Sequence, residues 1–152
     1  MQNFMDLAIE KAEENAADGF KKGGPFGVVI VKDNKVIAAC HNSVISDCDA
    51  TAHAEINAIR EAGAVLGTHD LTGCELWTSC MPCPMCLSAI IWANIKVVHY
   101  ANTSEDADKI GFRDKAIYEF FAGKSAPLEL IREETPAAIK TFEKFMEHGE
   151  IY

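Results

Sequence analysis

Two short stretches carry residues that could do chemistry together. His53-Ala54-Glu55 sets an imidazole two residues before a carboxylate, and Pro82-Cys83-Pro84-Met85-Cys86 sets two thiols three residues apart behind a proline. Cysteines at that spacing on a helix share a face, so Cys83 and Cys86 can grip one ion at a thiolate–metal distance of about 2.3 Å. His53 can add a third ligand through a ring nitrogen. Three protein ligands around a tetrahedral zinc ion leave the fourth position to water, which marks a catalytic site rather than a structural one. Glu55 then need not touch the metal. It can hydrogen-bond the water, take its proton and pass that proton on. Both stretches fall at expected helix N-termini, where free backbone N–H groups stabilise negative charge, thiolates included.

Other readings of the same residues stand beside this one. Cys80, Cys83 and Cys86 form a C-x-x-C-x-x-C run. With His53 they could close a Cys₃His structural zinc site or contribute to an iron–sulfur site. Cys80, however, precedes Pro82 and belongs to a strand end, which turns it elsewhere. A non-catalytic module folded by its metal is the alternative from a different functional class. Cys40, Cys48 and Cys74 read as ordinary buried or half-buried thiols. His41, His69, His99 and His148 have no partner motif.

The elements that must carry these residues can be followed along the chain. Residues from about Asn3 to Gly19 read as a helix with Phe4, Leu7, Ala8 and Ala12 on one face. Phe26–Lys32 and Val36–Cys40 flank Asp33-Asn34 and read as a β-hairpin. Thr51 can cap a helix running to about Ala64, and Glu75–Thr78 is a short strand. The nearly all-apolar helix from about Cys83 to Ala93 must be buried. Lys96–Tyr100 is the next strand, and the polar stretch Asn102–Asp108 opens another helix. Leu128–Arg132 is a candidate last strand, and Thr135-Pro136 starts a final helix to about Glu147. A hairpin followed by alternating strands and helices predicts a three-layer α/β/α sandwich: a central mixed sheet with helices on both faces.

Composition narrows the partners. A chain of 152 residues with 49% hydrophobic and 24% charged content fits one domain spanning residues 1–152. The formal net charge of −9, with no basic cluster longer than Lys21-Lys22, argues against a nucleic-acid substrate. No apolar run approaches the roughly 18–20 residues of a membrane span. The first fifteen residues carry acids inside their apolar pattern, unlike a secretory leader, so a cytoplasmic address is expected. In that reducing compartment six cysteines point to metal or redox chemistry rather than to disulfides.

His-x-Glu followed by Pro-Cys-x-x-Cys is the signature of zinc nucleobase and nucleoside deaminases. With Gly23-Gly24-Pro25-Phe26-Gly27, Thr78-Ser79-Cys80, Trp92-Ala93, Gly111-Phe112 and the terminal Tyr152, the chain resembles the cytidine deaminase-like superfamily, and within it the small bacterial guanine deaminases. The resemblance implies that His53, Cys83 and Cys86 hold Zn²⁺ and that Glu55 shuttles protons. It also implies that Phe26, Asn42, Ala54 and Trp92 line the base pocket, with Phe26 stacking on the purine, Asn42 bonding its edge and Trp92 closing it. Asp114 looks like a second acid near the guanine amino group. Tyr152 looks like a lid on a neighbour's site in a homodimer that swaps C-terminal segments. By composition alone Phe26 and Trp92 would be core and Tyr152 a frayed end. The expected reaction is hydrolysis of a free nucleobase, guanine first. A transfer-RNA adenosine deaminase or a cytosine or cytidine deaminase is the alternative within the same zinc chemistry. One departure is visible: Met81 stands where many relatives carry glutamate.

Overall fold

The computed structural model describes residues 3–152. It opens on helix α1 (Phe4–Ala17), where Asn3 accepts hydrogen bonds from the Met5 and Asp6 amides as the N-cap. Strands β1 (Gly27–Lys32) and β2 (Lys35–His41) form the expected hairpin. Asp33 and Asn34 both take positive φ, the geometry of a two-residue hairpin loop that short polar side chains tolerate. Helix α2 (Ala54–Leu66), strand β3 (Cys74–Cys80), helix α3 (Pro84–Trp92) and strand β4 (Val97–Asn102) follow. Helices α4 (Ser104–Lys109), α5 (Asp114–Phe121) and α6 (Pro136–His148) complete the chain.

The sheet runs β2-β1-β3-β4, with β1 antiparallel to both neighbours and β3 parallel to β4. It is therefore mixed, as expected. Central β1 sends alternate side chains to opposite layers. Val28 and Ile30 meet Ala54, Ala58 and Ala62 of α2 and Ile90 of α3 on one face, while Val29 and Val31 meet Ala8 of α1 on the other. Alanine at four-residue spacing lets α2 lie close to the sheet. The α1 layer sits closer still at one point: a Cβ on Gly27 would run into the backbone of Ala8 and Ala12. Only glycine fits there.

Several expectations need correction. Thr51 does not cap α2: His53 holds the N-cap position, while the Thr51 hydroxyl bonds Asp49 at 2.7 Å. Helix α3 is not buried all round. Its Pro84, Cys86 and Ile90 face the core, but Ile91 is 68% and Trp92 70% exposed. An all-apolar helix has no polar stripe to say which face turns outward, so its periodicity could not divide the two. Leu128–Arg132 is not a strand either, for among the described residues no other strand lies beside it to pair with its backbone. From α5 onward no residue is buried.

Candidate metal centre

The connections β2-to-α2 and β3-to-α3 bring two helix N-termini together, since both helices pack on the same face of the sheet. His53 and Cys83 occupy the N-cap positions of α2 and α3, both in extended backbone and neither spending its side chain on a cap bond. Their side chains are therefore free to point forward. Cys86 lies three residues beyond Cys83 and is fully buried. The positive ends of both helices thus bear on one spot, where they favour negative charge.

The resulting donor set has the dimensions of a zinc site. The Nδ1 atom of His53 lies 3.6 Å from Cys83 Sγ and 3.5 Å from Cys86 Sγ, and all three ligand atoms fall within 4.8 Å of one another. A tetrahedral zinc with ordinary Zn–N and Zn–S lengths separates its nitrogen and sulfur ligands by about 3.5 Å. The match needs no movement of the chain. The protonation pattern agrees. The Cys83 thiol is held down to about 4, chiefly by the hydrogen bond with Cys86 and next, against burial, by the one with His53. The same Cys86 contact, added to burial, drives the Cys86 thiol upward. His53 is raised, first by its bond to Cys83. A thiolate beside a cationic ring is a pair that a dication can replace, with release of protons. Two soft sulfurs and one imidazole could hold a metal ion, and that donor set suits zinc.

Glu55 sits in the first turn of α2 at 6% exposure, with its Oε2 3.5 Å from Cys86 Sγ. Burial pushes its carboxyl up to about 7. Cys80 stands apart from the ligand set, as expected. Its thiol approaches the Thr103 carbonyl at 3.5 Å and is pushed up to about 12 by burial.

A cavity of about 710 Å³ opens onto this centre and is lined by Phe26, Asn42, His53, Glu55, Cys83 and Asp114 among others. Asn42 is rigidly set. Its Oδ1 accepts from the amides of Gly24 (3.3 Å) and Val44 (3.2 Å), which leaves the amide N–H₂ as its donor toward the cavity. Asp114, at the start of α5, faces the same space with its pKa raised by burial and then by Cys83. Ala54 is fully buried against the core between His53 and Glu55. Trp92 and Tyr152 lie elsewhere. Their rings are 6.1 Å apart beside His69, in a groove between α2 and α3 that does not adjoin the metal ligands. Trp92 ends α3, nine residues past Cys83, or about 13 Å along the axis.

Three supporting residues were given no role by the sequence. Asn15 is wholly buried in α1, and its Nδ2 donates to the carbonyls of Gly24 and Asn42, both at 2.8 Å. It holds together the two ends of the pocket wall. Phe112 meets Phe26 edge to face at a centroid distance of 4.8 Å, which fixes the plane of that ring. Tyr118 donates to the Pro82 carbonyl at 2.6 Å. Asn15 sits among the acids of α1, Phe112 was quoted only as part of the Gly111-Phe112 pair that carries the resemblance, and nothing local marked Tyr118.

Comparison with known proteins agrees with this geometry. The family described as the cytidine and deoxycytidylate deaminase zinc-binding region matches residues 1–102. Guanine deaminase of Bacillus subtilis is 50% identical over 118 residues, covering 78% of this chain and 74% of the relative. A transfer-RNA-specific adenosine deaminase of Aquifex aeolicus is 40% identical over 99 residues, covering 64% of this chain and 63% of its own length. In three dimensions, the crystal structure of B. subtilis guanine deaminase superposes with a TM-score of 0.88 at 38% identity, covering 100% of this chain and 98% of the other. A guanine deaminase from Nitrosomonas europaea gives 0.67 at 36% identity over 73% of this chain and 63% of that one.

Proposed function

The chain belongs to the cytidine and deoxycytidylate deaminase zinc-binding family, and on that premise we propose that it hydrolyses guanine to xanthine and ammonia, a step of purine catabolism. The observation that carries this reading is the extent of the likeness. It runs through the whole chain against a guanine deaminase, including the segment that holds Asp114, whereas a transfer-RNA deaminase covers 66% of it. The net charge of −9 points the same way, away from a polyanionic substrate.

His53, Cys83 and Cys86 would hold the zinc, which supplies the Lewis acidity that makes water a nucleophile at neutral pH. Phe26 stacks on the purine, and the Asn42 amide donates to an acceptor on its edge. Glu55 takes a proton from the attacking water as oxygen adds to C2. It delivers that proton to the neighbouring ring nitrogen, which accepts the displaced electron pair. The second water proton is then moved to the amino nitrogen, with Asp114 beside it. The C–N bond breaks, ammonia leaves, and C2 becomes the carbonyl carbon of xanthine. A buried carboxyl drawn to about 7 supports Glu55 in both directions of this transfer, because it gains and loses a proton with little driving force either way.

The test is ammonia release by the zinc-loaded protein with guanine, cytosine, adenine and their nucleosides offered separately. Turnover of guanine alone is the expected result. Turnover confined to adenosine in transfer RNA, or to cytosine or cytidine, would replace guanine while keeping the zinc chemistry.

The unpartnered C-terminal part supports a homodimer in which residues 1–152 form one deaminase domain and the last segments are exchanged. Leu130 and Phe142 are largely exposed, and β4 is a sheet edge with Val97 and Tyr100 open to solvent. Such an edge invites a strand from another chain. Tyr152, out of reach of its own cavity, would cover that of the partner. Removal of the residues after Ser125 is expected to turn a dimer into a monomer by sedimentation and to cut guanine turnover at least tenfold. A truncated protein that stays dimeric would end this reading. No helix among the described residues is long and apolar enough to cross a membrane. Six unpaired thiols support a reducing, cytoplasmic setting.

A further inference from the structure

Resting on the reading that Asp114 serves the departing amine, we propose that Tyr118 is a positioning residue: its phenol pins α5 to the metal-binding loop and so fixes Asp114 against the base. Helix α5 has no buried residue and little packing to hold it. Its polar tie to the sheet-and-metal-loop part of the chain is the Tyr118 hydroxyl, which donates to the carbonyl of Pro82 at 2.6 Å. Pro82 is the buried residue just before the ligand Cys83. Among the described residues this is the only hydrogen bond, and there is no ion pair, joining residues 111–152 to residues 3–103.

The helix geometry says what that tie controls. Asp114 and Tyr118 are four residues apart and share a face of α5. A directional bond at Tyr118 therefore sets both the distance of α5 from the loop and its rotation about its own axis. Just ahead of the helix, Phe112 lies edge-on to Phe26 at 4.8 Å, an apolar contact that resists separation but tolerates sliding. The phenol supplies the missing direction. Tyr118 is not part of the cavity wall. Whatever it does for the reaction, it does through Asp114 and the Cys83 loop. A displacement of about 1 Å at a reacting group can lower a rate on the order of 100-fold.

The test is a double-mutant cycle on the zinc-loaded enzyme with guanine as substrate, using Tyr118→Phe and Asp114→Asn, with zinc content and thermal midpoint measured on each protein. Tyr118→Phe is expected to lower kcat on the order of 10- to 100-fold, with KM and zinc stoichiometry close to those of the parent. In the Asp114→Asn background the same substitution should lower kcat little further. Three outcomes overturn the proposal: an unchanged kcat, a loss that persists in full beside Asp114→Asn, or a loss that follows missing zinc or a protein that no longer folds. Wild-type turnover by Asp114→Asn alone would instead strike down the role given to Asp114, and this proposal with it, whatever Tyr118→Phe does.

Discussion

The Glu55→Gln protein is expected to bind zinc in full and to turn over guanine on the order of 10²- to 10⁴-fold more slowly, the span ordinarily lost with a general acid–base group. Glutamine keeps the shape of the side chain and can still accept a hydrogen bond, so the packing around α2 is preserved. What it cannot do is take a proton and return it. In the mechanism the carboxylate does this at least once per turnover, at the ring nitrogen, and ammonia cannot leave until a proton has reached the amine. The loss should therefore fall on kcat, with KM little changed, as steady-state rates of xanthine formation will show. Stability should move the other way or not at all. Burial raises the Glu55 carboxyl to about 7, above its ordinary value, so at neutral pH a charge is being held where the fold disfavours it. Removing that charge gives no reason for the thermal midpoint to fall, and a functional group that costs stability is common in active sites. A Glu55→Gln enzyme of undiminished activity would remove the proton shuttle from the scheme.

The second large effect is expected from Cys86→Ala. Cys86 is fully buried, with its sulfur 3.5 Å from both His53 Nδ1 and Glu55 Oε2. Without that sulfur only two ligands remain for the ion, and activity should fall to the uncatalysed background. Zinc content, measured by atomic emission after dialysis, should drop from near one per chain to near zero. Zinc binds the folded protein alone when the ligands are assembled only there. It then stabilises the parent by about 2.7 kcal/mol at a free concentration 100 times its dissociation constant. The parent's thermal midpoint should rise on zinc addition, and that of Cys86→Ala should not. Chelation of the parent should mimic the variant and be reversed by zinc. An active Cys86→Ala protein with one bound zinc would show that the ion sits on a different ligand set.

Much of the centre was legible because its logic is local. The i, i+3 spacing of Cys83 and Cys86 states a shared helix face, and Pro84, at the first helical position just after Cys83, states where that helix begins. His53 and Glu55 are two residues apart at the start of α2, so a single element orients both. The alternation in β1 and the Asp33-Asn34 turn likewise made the hairpin readable from nearest neighbours. The fold class followed from the order of such pieces.

Tertiary structure decided what depends on faces and distant partners. Asn15, Asn42 and Gly24 come from three separate stretches and meet only because α1 lies close on the sheet at Gly27. No spacing along the chain encodes that approach. Phe112 and Tyr118 owe their roles to where α5 docks, beside Phe26 and Pro82, dozens of residues earlier in the chain. Trp92 shows the opposite case: its helix is apolar on every side, so only packing could choose Ile90 for the core and leave Trp92 outside. Leu128–Arg132 has the composition of a strand, yet a strand exists only where another backbone offers its hydrogen bonds, and among the described residues none does. Sequence determined the candidate donor set and its chemistry, because helix periodicity and capping act over a few residues. The walls of the pocket were settled by packing, which acts between residues the chain order keeps far apart.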